Sequence, residues 1–255
     1  MFDTLNVDVD GAIGRVELNQ PDKLNPLSRL ALSELAEAAR WLDKQPTVKV
    51  VVVSGVGRAF SAGADLATFQ GQPEDDLRAA ADQGRLMAEA LESMRAVSIA
   101  AIHGWCVGGG LVLAAACDLR VATESAKFSI PEVDLGIPLA WGGIPRLVRE
   151  IGPARTKELV MTCRPFGASE ALASGFLNRV VVEQDLKVSV DELAKQLAGK
   201  ASHALFATKR HVNAVTEQMV GTMRSWSDAD GLLVALTDDE CTEARERYLE
   251  HKGAR

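Results

Sequence analysis

Two glycine-rich segments of the sequence could hold a negatively charged oxygen with backbone N–H groups. They span residues 58–66 and 100–110, and each follows an apolar run that predicts a strand. A helix that begins near Gly109 would offer N–H groups without partners inside the helix, and glycine leaves them accessible to a ligand. A second N–H group from residues 62–64 would complete a site that stabilises an enolate or a tetrahedral oxyanion by about 3 kcal/mol per donor. Close backbone packing, which glycines also permit, is the alternative explanation.

The first of these segments does not match a nucleotide-binding loop. Counted from Gly55, the pattern G-x-G-x-x-G has Phe60 in place of its third glycine, and that side chain would obstruct close packing of the crossover helix. The sequence also lacks G-x-x-x-x-G-K-[ST] and G-x-S-x-G. These absences argue against a dinucleotide site, a P-loop and a serine hydrolase.

The elements around the two segments alternate between strands and helices. Residues 5–9 and 13–18 predict a hairpin, residues 28–43 a helix with Ser28 as its N-cap, and residues 48–53 a strand buried on both faces. Further on, the sequence predicts an exposed connection at residues 70–76, helices at about 77–94 and 111–116, and extended segments at 98–102 and 119–122. This alternation is typical of an α/β fold.

Beyond about residue 184 the sequence predicts helices and no further strand. The helical stretches lie near residues 184–198, 202–217 and 239–251. The last stretch has an apolar stripe, formed by Cys241, Ala244, Tyr248 and Leu249, which either the rest of the chain or another subunit must cover. We therefore divide the chain into a core of residues 1–195 and a C-terminal helical region of residues 196–255.

The composition indicates a globular protein and argues against several classes of partner. Of 255 residues, 47% are hydrophobic and 25% are charged, which supports a sizeable core. The net charge of -7 argues against nucleic acid as a partner. We expect a soluble, unprocessed protein that does not enter a membrane, because no apolar run is long enough to span one and the first residues show no signal-peptide pattern. The four widely spaced cysteines fit neither a zinc site nor a disulfide framework, which favours a cytoplasmic location.

Four ordered segments resemble the enoyl-CoA hydratase/isomerase (crotonase) superfamily, and the resemblance covers nearly the whole chain. They are residues 19–25 (NQPDKLN), 60–66 (FSAGADL), 103–118 (HGWCVGGG to AACD) and 128–138 (FSIPEVDLGIP). The resemblance implies a crotonase-like α/β spiral of ββα repeats, with a C-terminal helical trimerisation region that builds a homotrimer or hexamer. It also implies an acyl-CoA thioester as substrate, and we expect no metal and no cofactor other than the coenzyme A that this substrate carries.

The resemblance assigns roles to individual positions. Ala64 and Gly109 would supply the two N–H groups of an oxyanion hole, and Glu132 would transfer protons. The residues that would lie along the CoA moiety are Lys23, Leu24, Ala62, Asp65 and Leu66.

The chain departs from the hydratases of the superfamily at Val112. Those enzymes have a glutamate two residues after the glycine triplet and a second one in the later Pro-Glu segment, and here these positions hold Val112 and Glu132. Valine can neither hold a water through a charged hydrogen bond nor exchange a proton. Ile130 and Val133 could desolvate Glu132 and raise its pKa toward working pH. An oxyanion hole with a single base suits the conversion of 3-enoyl-CoA to 2-enoyl-CoA.

Other interpretations of the site stay open. Hydration of 2-enoyl-CoA in fatty acid metabolism and a non-catalytic acyl-CoA-binding role are the alternatives to isomerisation. Glu89 or Glu92 could lend a second carboxylate, although helical surface positions are the expectation for both. His103 is expected to be a packed or hydrogen-bonded residue at a strand end, and Trp105 and Trp141 either line an acyl pocket or simply pack.

Overall fold

The main sheet of the molecule begins with a hairpin and continues as parallel strands. A computed structural model describes residues 2–65, 74–225 and 227–253. From one edge to the other, the sheet consists of β1 (Leu5–Asp10), β2 (Ile13–Leu18), β4 (Val50–Gly55), β6 (Val97–Ile102), β8 (Leu119–Thr123) and β11 (Arg179–Val181). β1 and β2 pair antiparallel, as the predicted hairpin requires, and each further pair is parallel. Parallel pairing needs a crossover between strands, and helices supply it here.

Short strands and helices follow the main-sheet strands in a repeated order. β3 (Pro26–Leu27) pairs with β5 (Gly63–Ala64), while β9 (Lys127–Ser129) pairs with both β7 (Trp105–Val107) and β10 (Phe166–Gly167). β3, β5, β7 and β9 are each followed by a crossover helix: α1 (Arg29–Asp43), α2 (Glu74–Ser93), α3 (Gly109–Ala115) and α4 (Gly143–Ile151). The order is therefore β4-β5-α2, β6-β7-α3 and β8-β9-α4, which is the expected ββα repeat. Of the predicted connection 70–76, residues 70–73 lie outside the described residues and residues 74–76 belong to α2.

The first helix and the central strand form for the local reasons that the sequence indicates. α1 (Arg29–Asp43) begins after Ser28, whose side chain accepts a hydrogen bond from the N–H of Ala31 at 3.2 Å. The valines of β4 are buried on both faces of the sheet: Val51 and Val53 pack in the larger core, which contains α1 residues, and Val50 and Val52 pack in a second cluster. Because both faces are covered, the strand carries no polar residue between its valines.

The C-terminal part of the chain is helical, with one helix more than the sequence predicts. α7 (Leu186–Ala198) covers the second face of the sheet, and α8 (Ser202–Met219) and α10 (Asp239–Gly253) correspond to the other predicted stretches. α9 (Asp228–Thr237) is unexpected, because its apolar residues are consecutive and hide the helical period. α5 (Pro153–Thr162) and α6 (Ala168–Ala173) lie between α4 and β11. The proposed division at residue 195 falls within α7 and stays a prediction.

The chain itself covers part of the apolar stripe of α10. Cys241, Ala244 and Tyr248 are half-buried, whereas Leu249 is exposed. The backbone of Cys241 lies so close to Gly136 that a Cβ atom at that glycine would overlap it. The start of α10 therefore packs on the turn that precedes α4.

Candidate active site

Backbone pairing brings the two glycine-rich segments side by side. The N–H of Ser61 donates to the carbonyl of Trp105 at 3.1 Å, and the N–H of Val107 donates to the carbonyl of Ser61 at 3.1 Å. Gly63 has a φ of +90°, and a Cβ atom there would lie 2.6 Å from the carbonyl oxygen of Val107 and 3.5 Å from the amide nitrogen of Gly109. Gly63 thus permits the close backbone packing considered above, and this packing brings β5 to the start of α3.

The two predicted oxyanion donors, Ala64 and Gly109, lie on different kinds of element. Ala64 is in β5, where the following N–H, that of Asp65, donates to Leu27 of β3 at 3.2 Å. Because successive N–H groups of a strand point to opposite sides, the N–H of Ala64 points away from β3. Gly109 is the first residue of α3, and the first N–H groups of a helix have no partner inside it.

Glu132 reaches the same region through the pairing of β9. The N–H of Gly108 donates to the carbonyl of Ser129 at the end of β9, at 2.9 Å, and the chain then turns at Glu132, whose carbonyl accepts from the N–H of Ile137 at 2.9 Å. A Cβ atom at Gly108 would overlap Oε1 of Glu132. The carboxyl group therefore lies against the turn that begins α3.

The carboxyl group of Glu132 is desolvated. The residue is 9% exposed, and its Oε2 atom has no hydrogen-bond partner among the described residues. Burial raises the pKa of Glu132 to about 7, although a hydrogen bond from its own backbone N–H opposes part of that rise. A carboxyl group with a pKa near neutrality can take up a proton and return it during one reaction.

Ala64, Gly109 and Glu132 line one cavity of about 30 Å³. The other lining residues are apolar: Val112, Ile137, Pro138, Leu139, Ala140, Trp141 and Leu232. Glu132 is therefore the only acidic residue among the described residues that line this cavity. Such a site can remove a proton from a bound molecule while two N–H groups stabilise the resulting oxyanion.

The expected shielding of Glu132 is wrong for one of its two neighbours. Ile130 is fully buried, but Val133 is 43% exposed, because the turn at Glu132 directs the next side chain toward solvent. Val112 and Ile137 provide apolar surroundings in its place. Residues that are distant along the chain therefore contribute to the desolvation.

Comparison with known proteins identifies the family. The family model described as enoyl-CoA hydratase/isomerase matches residues 8–255. The chain belongs to this family. It is 31% identical to the crotonyl-CoA hydratase of Syntrophomonas wolfei over 255 residues, which are 99% of this chain and 97% of that protein. It is 32% identical over 260 residues to the peroxisomal Delta(3,5)-Delta(2,4)-dienoyl-CoA isomerase of Arabidopsis thaliana, covering 95% of this chain and 92% of that protein.

Solved structures of relatives have the same architecture. The enoyl-CoA hydratase of Bacillus anthracis is 30% identical with a TM-score of 0.80, and the match covers 98% of this chain and 97% of that one. A protein described as an enoyl-CoA hydratase of Thermobifida fusca, solved in complex with CoA, is 30% identical with a TM-score of 0.78 and coverage of 89% and 91%. The predicted α/β fold is confirmed. This member of the enoyl-CoA hydratase/isomerase family is an enzyme that acts on an acyl-CoA thioester.

The two other glutamates considered as second carboxylates do not line the cavity. Glu92 binds Nη2 of Arg146 and Nη2 of Arg149, both at 2.5 Å. The expected surface position is wrong for Glu92, since it lies in a partly buried ion-pair cluster. Glu89 pairs with Arg85 at 2.7 Å on the helix surface, in agreement with the prediction. Both carboxylates are therefore engaged elsewhere.

His103, Trp105 and Trp141 have different surroundings in the structure. His103 lies at the end of β6 with Nε2 2.8 Å from the carbonyl oxygen of Gly57, as expected for a hydrogen-bonded strand-end residue. Trp105 is 40% exposed, and the ammonium group of Lys127 lies 5.5 Å from its ring centre. Trp141, in contrast, is buried and lines the cavity. Of these two tryptophans, Trp141 is therefore the one that lines the cavity.

The residues assigned to the CoA moiety lie on two neighbouring segments. Lys23 is exposed at the end of a short 3-10 helix, and Leu24 follows with a φ of 62°. The carbonyl of Leu24 accepts a hydrogen bond from the N–H of Ala62 at 2.8 Å, and Asp65 follows β5. Leu66 lies outside the described residues. The contacts of all five with CoA stay a prediction.

Asn25 lies near the site, and no role for it is predicted from the sequence. Its Nδ2 atom donates to the backbone carbonyls of Val56 and Ala59 at 2.9 Å each. The backbone carbonyl of Asn25 accepts a hydrogen bond from Oγ of Ser61 at 2.8 Å. These bonds hold the loop after β2 against the first glycine-rich segment. The sequence did carry a signal for this turn: an asparagine beside a Pro-Asp pair. Asn tolerates the left-handed conformation, which Asn25 adopts here with a φ of 54°.

The described residues contain no group of three or more His, Cys, Asp or Glu side chains that could hold a metal ion. Within the same ranges, no helix combines the length and the apolar character that crossing a membrane requires. The four cysteines are free thiols.

Proposed function

We propose that this enzyme converts 3-enoyl-CoA to 2-enoyl-CoA by moving the C=C bond. The observation that carries the proposal is that Glu132 is the only acidic residue among the described residues lining the cavity, next to Ala64 and Gly109. Val112 lines the same cavity and is buried, so its position offers no charged group to a water molecule.

The reaction needs one oxyanion hole and one proton carrier. The thioester oxygen accepts hydrogen bonds from the N–H groups of Ala64 and Gly109 while Glu132 removes a proton from C2. The electron pair of the broken C–H bond forms the C1=C2 bond of a dienolate, whose oxygen the two donors stabilise by about 3 kcal/mol each. Glu132 then delivers the proton to C4, and the electron pair of the C3=C4 bond forms the new C–H bond. The C1=C2 pair moves to C2=C3, and an electron pair of the oxyanion re-forms the thioester carbonyl. Substrate and product have the same composition, so no water is consumed.

The raised pKa of Glu132 supports this role. At neutral pH a carboxyl group with a pKa of about 7 exists in both protonation states in similar amounts. It can therefore act as the base in the first step and as the acid in the second. An ordinary surface carboxylate, with a pKa of about 4.3, would be a weaker base in the first step.

Hydration of 2-enoyl-CoA is the second candidate, because several relatives, including the crotonyl-CoA hydratase of Syntrophomonas wolfei, carry a hydratase name. The test is to measure both activities of the wild-type enzyme, with 3-hexenoyl-CoA for isomerisation and crotonyl-CoA for hydration. We expect isomerisation to have the larger kcat/KM. Faster hydration of crotonyl-CoA would instead support the hydratase, with the water held by a group other than Val112.

We propose that Lys23, Leu24, Ala62, Asp65 and Leu66 bind the CoA moiety, as the resemblance to the family implies. The CoA complex of the Thermobifida fusca relative supports binding of CoA and not these individual positions. We further propose that the chain forms a homotrimer or hexamer in the cytoplasm and needs no cofactor beyond the CoA of its substrate. Light scattering tests the assembly, since a mass near 27.3 kDa would indicate a monomer.

A further inference from the structure

The indole of Trp141 fills the space between two helices at the wall of the cavity. A Cβ atom at Gly109, the first residue of α3, would overlap the ring. A Cβ atom at Gly84, in the interior of α2, would overlap it as well. The ring is therefore packed against two positions that carry no side chain, beside the proposed oxyanion donor.

This placement of the indole has two local costs. Trp141 adopts a φ of 62°, a left-handed conformation that is a genuine outlier for a bulky side chain. Gly84 lies in the middle of a helix of 20 residues, where glycine is unfavourable relative to alanine. Strained or unfavourable positions that persist together are typical of sites with a functional constraint.

Charged residues of three helices hold the strained turn in place. The guanidinium of Arg146, which is fully buried, donates to the carbonyls of Trp141 and Gly142 at 3.2 Å and 3.1 Å and also binds Glu92 of α2. The N–H of Gly142 donates to Oδ2 of Asp228, at the start of α9, at 2.8 Å. Arg146 from α4, Glu92 from α2 and Asp228 from α9 thus fix the backbone that carries the indole.

The cavity that remains beside Glu132 is small. Its volume is about 30 Å³, and about 10–15 Å³ is required for a single water molecule. Trp141 lines it, and so does Leu232, which lies in α9. The cavity accommodates about two groups of the size of water, which suits the first carbons beyond a thioester carbonyl and not a long chain.

We propose that Trp141 determines the acyl-chain length of the substrate by closing the acyl pocket between α2 and α3, so that the enzyme selects short acyl groups over long ones. The proposal rests on the oxyanion hole assigned under the proposed function. It adds a residue, Trp141, that sets which acyl-CoA thioesters can reach that hole.

Binding of saturated thioesters tests this role without any turnover. Dissociation constants for butanoyl-CoA and decanoyl-CoA are measured by calorimetry with the wild type, Trp141→Gly, Trp141→Leu and Trp41→Ala. Glycine adopts the left-handed conformation at position 141 without strain. The matched control, Trp41, is 44% exposed on α1 and does not line the cavity.

We expect the wild type and Trp41→Ala to bind butanoyl-CoA at least about tenfold more tightly than decanoyl-CoA. In Trp141→Gly, more of the apolar decanoyl chain becomes buried, so the affinity for decanoyl-CoA relative to butanoyl-CoA should rise by about tenfold or more. Trp141→Leu should raise this relative affinity by less. Equal binding of both thioesters by the wild type would overturn the proposal. A folded Trp141→Gly variant with the wild-type ratio would do the same, and if that variant does not fold, Trp141→Leu decides.

Failure of this proposal is distinguishable from failure of the proposed reaction. A shifted binding ratio in a protein that hydrates crotonyl-CoA faster than it isomerises 3-hexenoyl-CoA would support Trp141 and contradict the isomerase. Failure of every thioester to bind would overturn both.

Discussion

Glu132 and Glu92 are both shielded from water, yet their carboxyl groups have opposite surroundings. Burial raises the pKa of Glu132 to about 7, and Oε2 has no partner among the described residues. Burial also acts to raise the pKa of Glu92, but the charges of Arg146 and Arg149 outweigh it and hold that pKa below its usual value. Partners therefore decide whether a shielded carboxylate is a permanent anion or a group that exchanges protons.

The difference separates structural from chemical roles. Through Arg146, Glu92 fixes the turn that carries Trp141, and its charge is held by hydrogen bonds. Oε2 of Glu132 has no such partner among the described residues, and the raised pKa leaves the carboxyl group basic enough to accept a proton near neutral pH. We therefore expect a mutation of Glu132 to lower activity, and a mutation that removes a partner of Glu92 to lower stability.

The largest expected effect is on turnover, from Glu132→Gln. Glutamine preserves the volume but cannot accept the proton, so the isomerase kcat should fall by about 10²–10⁴-fold with little change in the affinity for butanoyl-CoA. Steady-state kinetics and calorimetry measure the two quantities. The matched control is Glu89→Gln, which changes a glutamate on the surface of α2 and should leave kcat within about twofold. Unchanged turnover with a lowered melting temperature would make Glu132 structural.

A large effect on stability is expected from Arg146→Met. The substitution leaves Glu92 with one cation fewer and removes the donor to the carbonyls of Trp141 and Gly142. We expect the free energy of unfolding to fall by about 3–5 kcal/mol, measured by urea denaturation. Arg85→Met, which removes the surface pairs with Asp82 and Glu89, should cost less than about 1 kcal/mol. Equal losses in the two variants would contradict the distinction between the two regions.

The pH dependence of stability should distinguish Glu132 from Glu92. Since the folded-state pKa of Glu132 is raised from 4.5 to about 7, its contribution to stability is complete below about pH 4.5 and is lost as pH rises through about 7. The neutral side chain of Glu132→Gln avoids this loss, so the variant should gain stability relative to wild type between pH 5 and pH 8, by up to about 3 kcal/mol. The lowered pKa of Glu92 gives the reverse: its contribution is present at neutral pH and is lost on acidification. Urea denaturation of wild type and Glu132→Gln at both pH values tests the sign, and a constant difference would contradict the raised pKa.

The smallest expected effect concerns the choice of reaction. Val112→Glu places a second carboxylate at the start of α3, where the helix dipole favours an anion. The ratio of crotonyl-CoA hydration to 3-hexenoyl-CoA isomerisation should rise by about tenfold, because the new group can hold a water molecule. A ratio cancels general damage that both reactions share. If a folded variant shows the wild-type ratio, position 112 does not select the reaction.

Local sequence signals were sufficient for much of the framework. Alternating apolar residues predicted the β1–β2 hairpin, Ser28 predicted the start of α1, and the glycines predicted that a helix begins near Gly109. Such signals are readable because turns, caps and periodicity act between residues close in the chain. α9 escaped prediction, and with it Leu232 at the cavity, since Val234 in its apolar run is 67% exposed and obscures the period.

The sequence by itself determined the family, the order of the ββα units and the positions Ala64, Gly109 and Glu132, because these depend on motifs whose residues are close along the chain. Only the tertiary structure decided that Oε2 of Glu132 has no partner among the described residues, while Glu92 is held by two arginines. It alone also placed the indole of Trp141 between α2 and α3. The physical reason is that a pKa and a cavity volume depend on atoms within a few ångströms, and here those atoms come from segments that are distant along the chain.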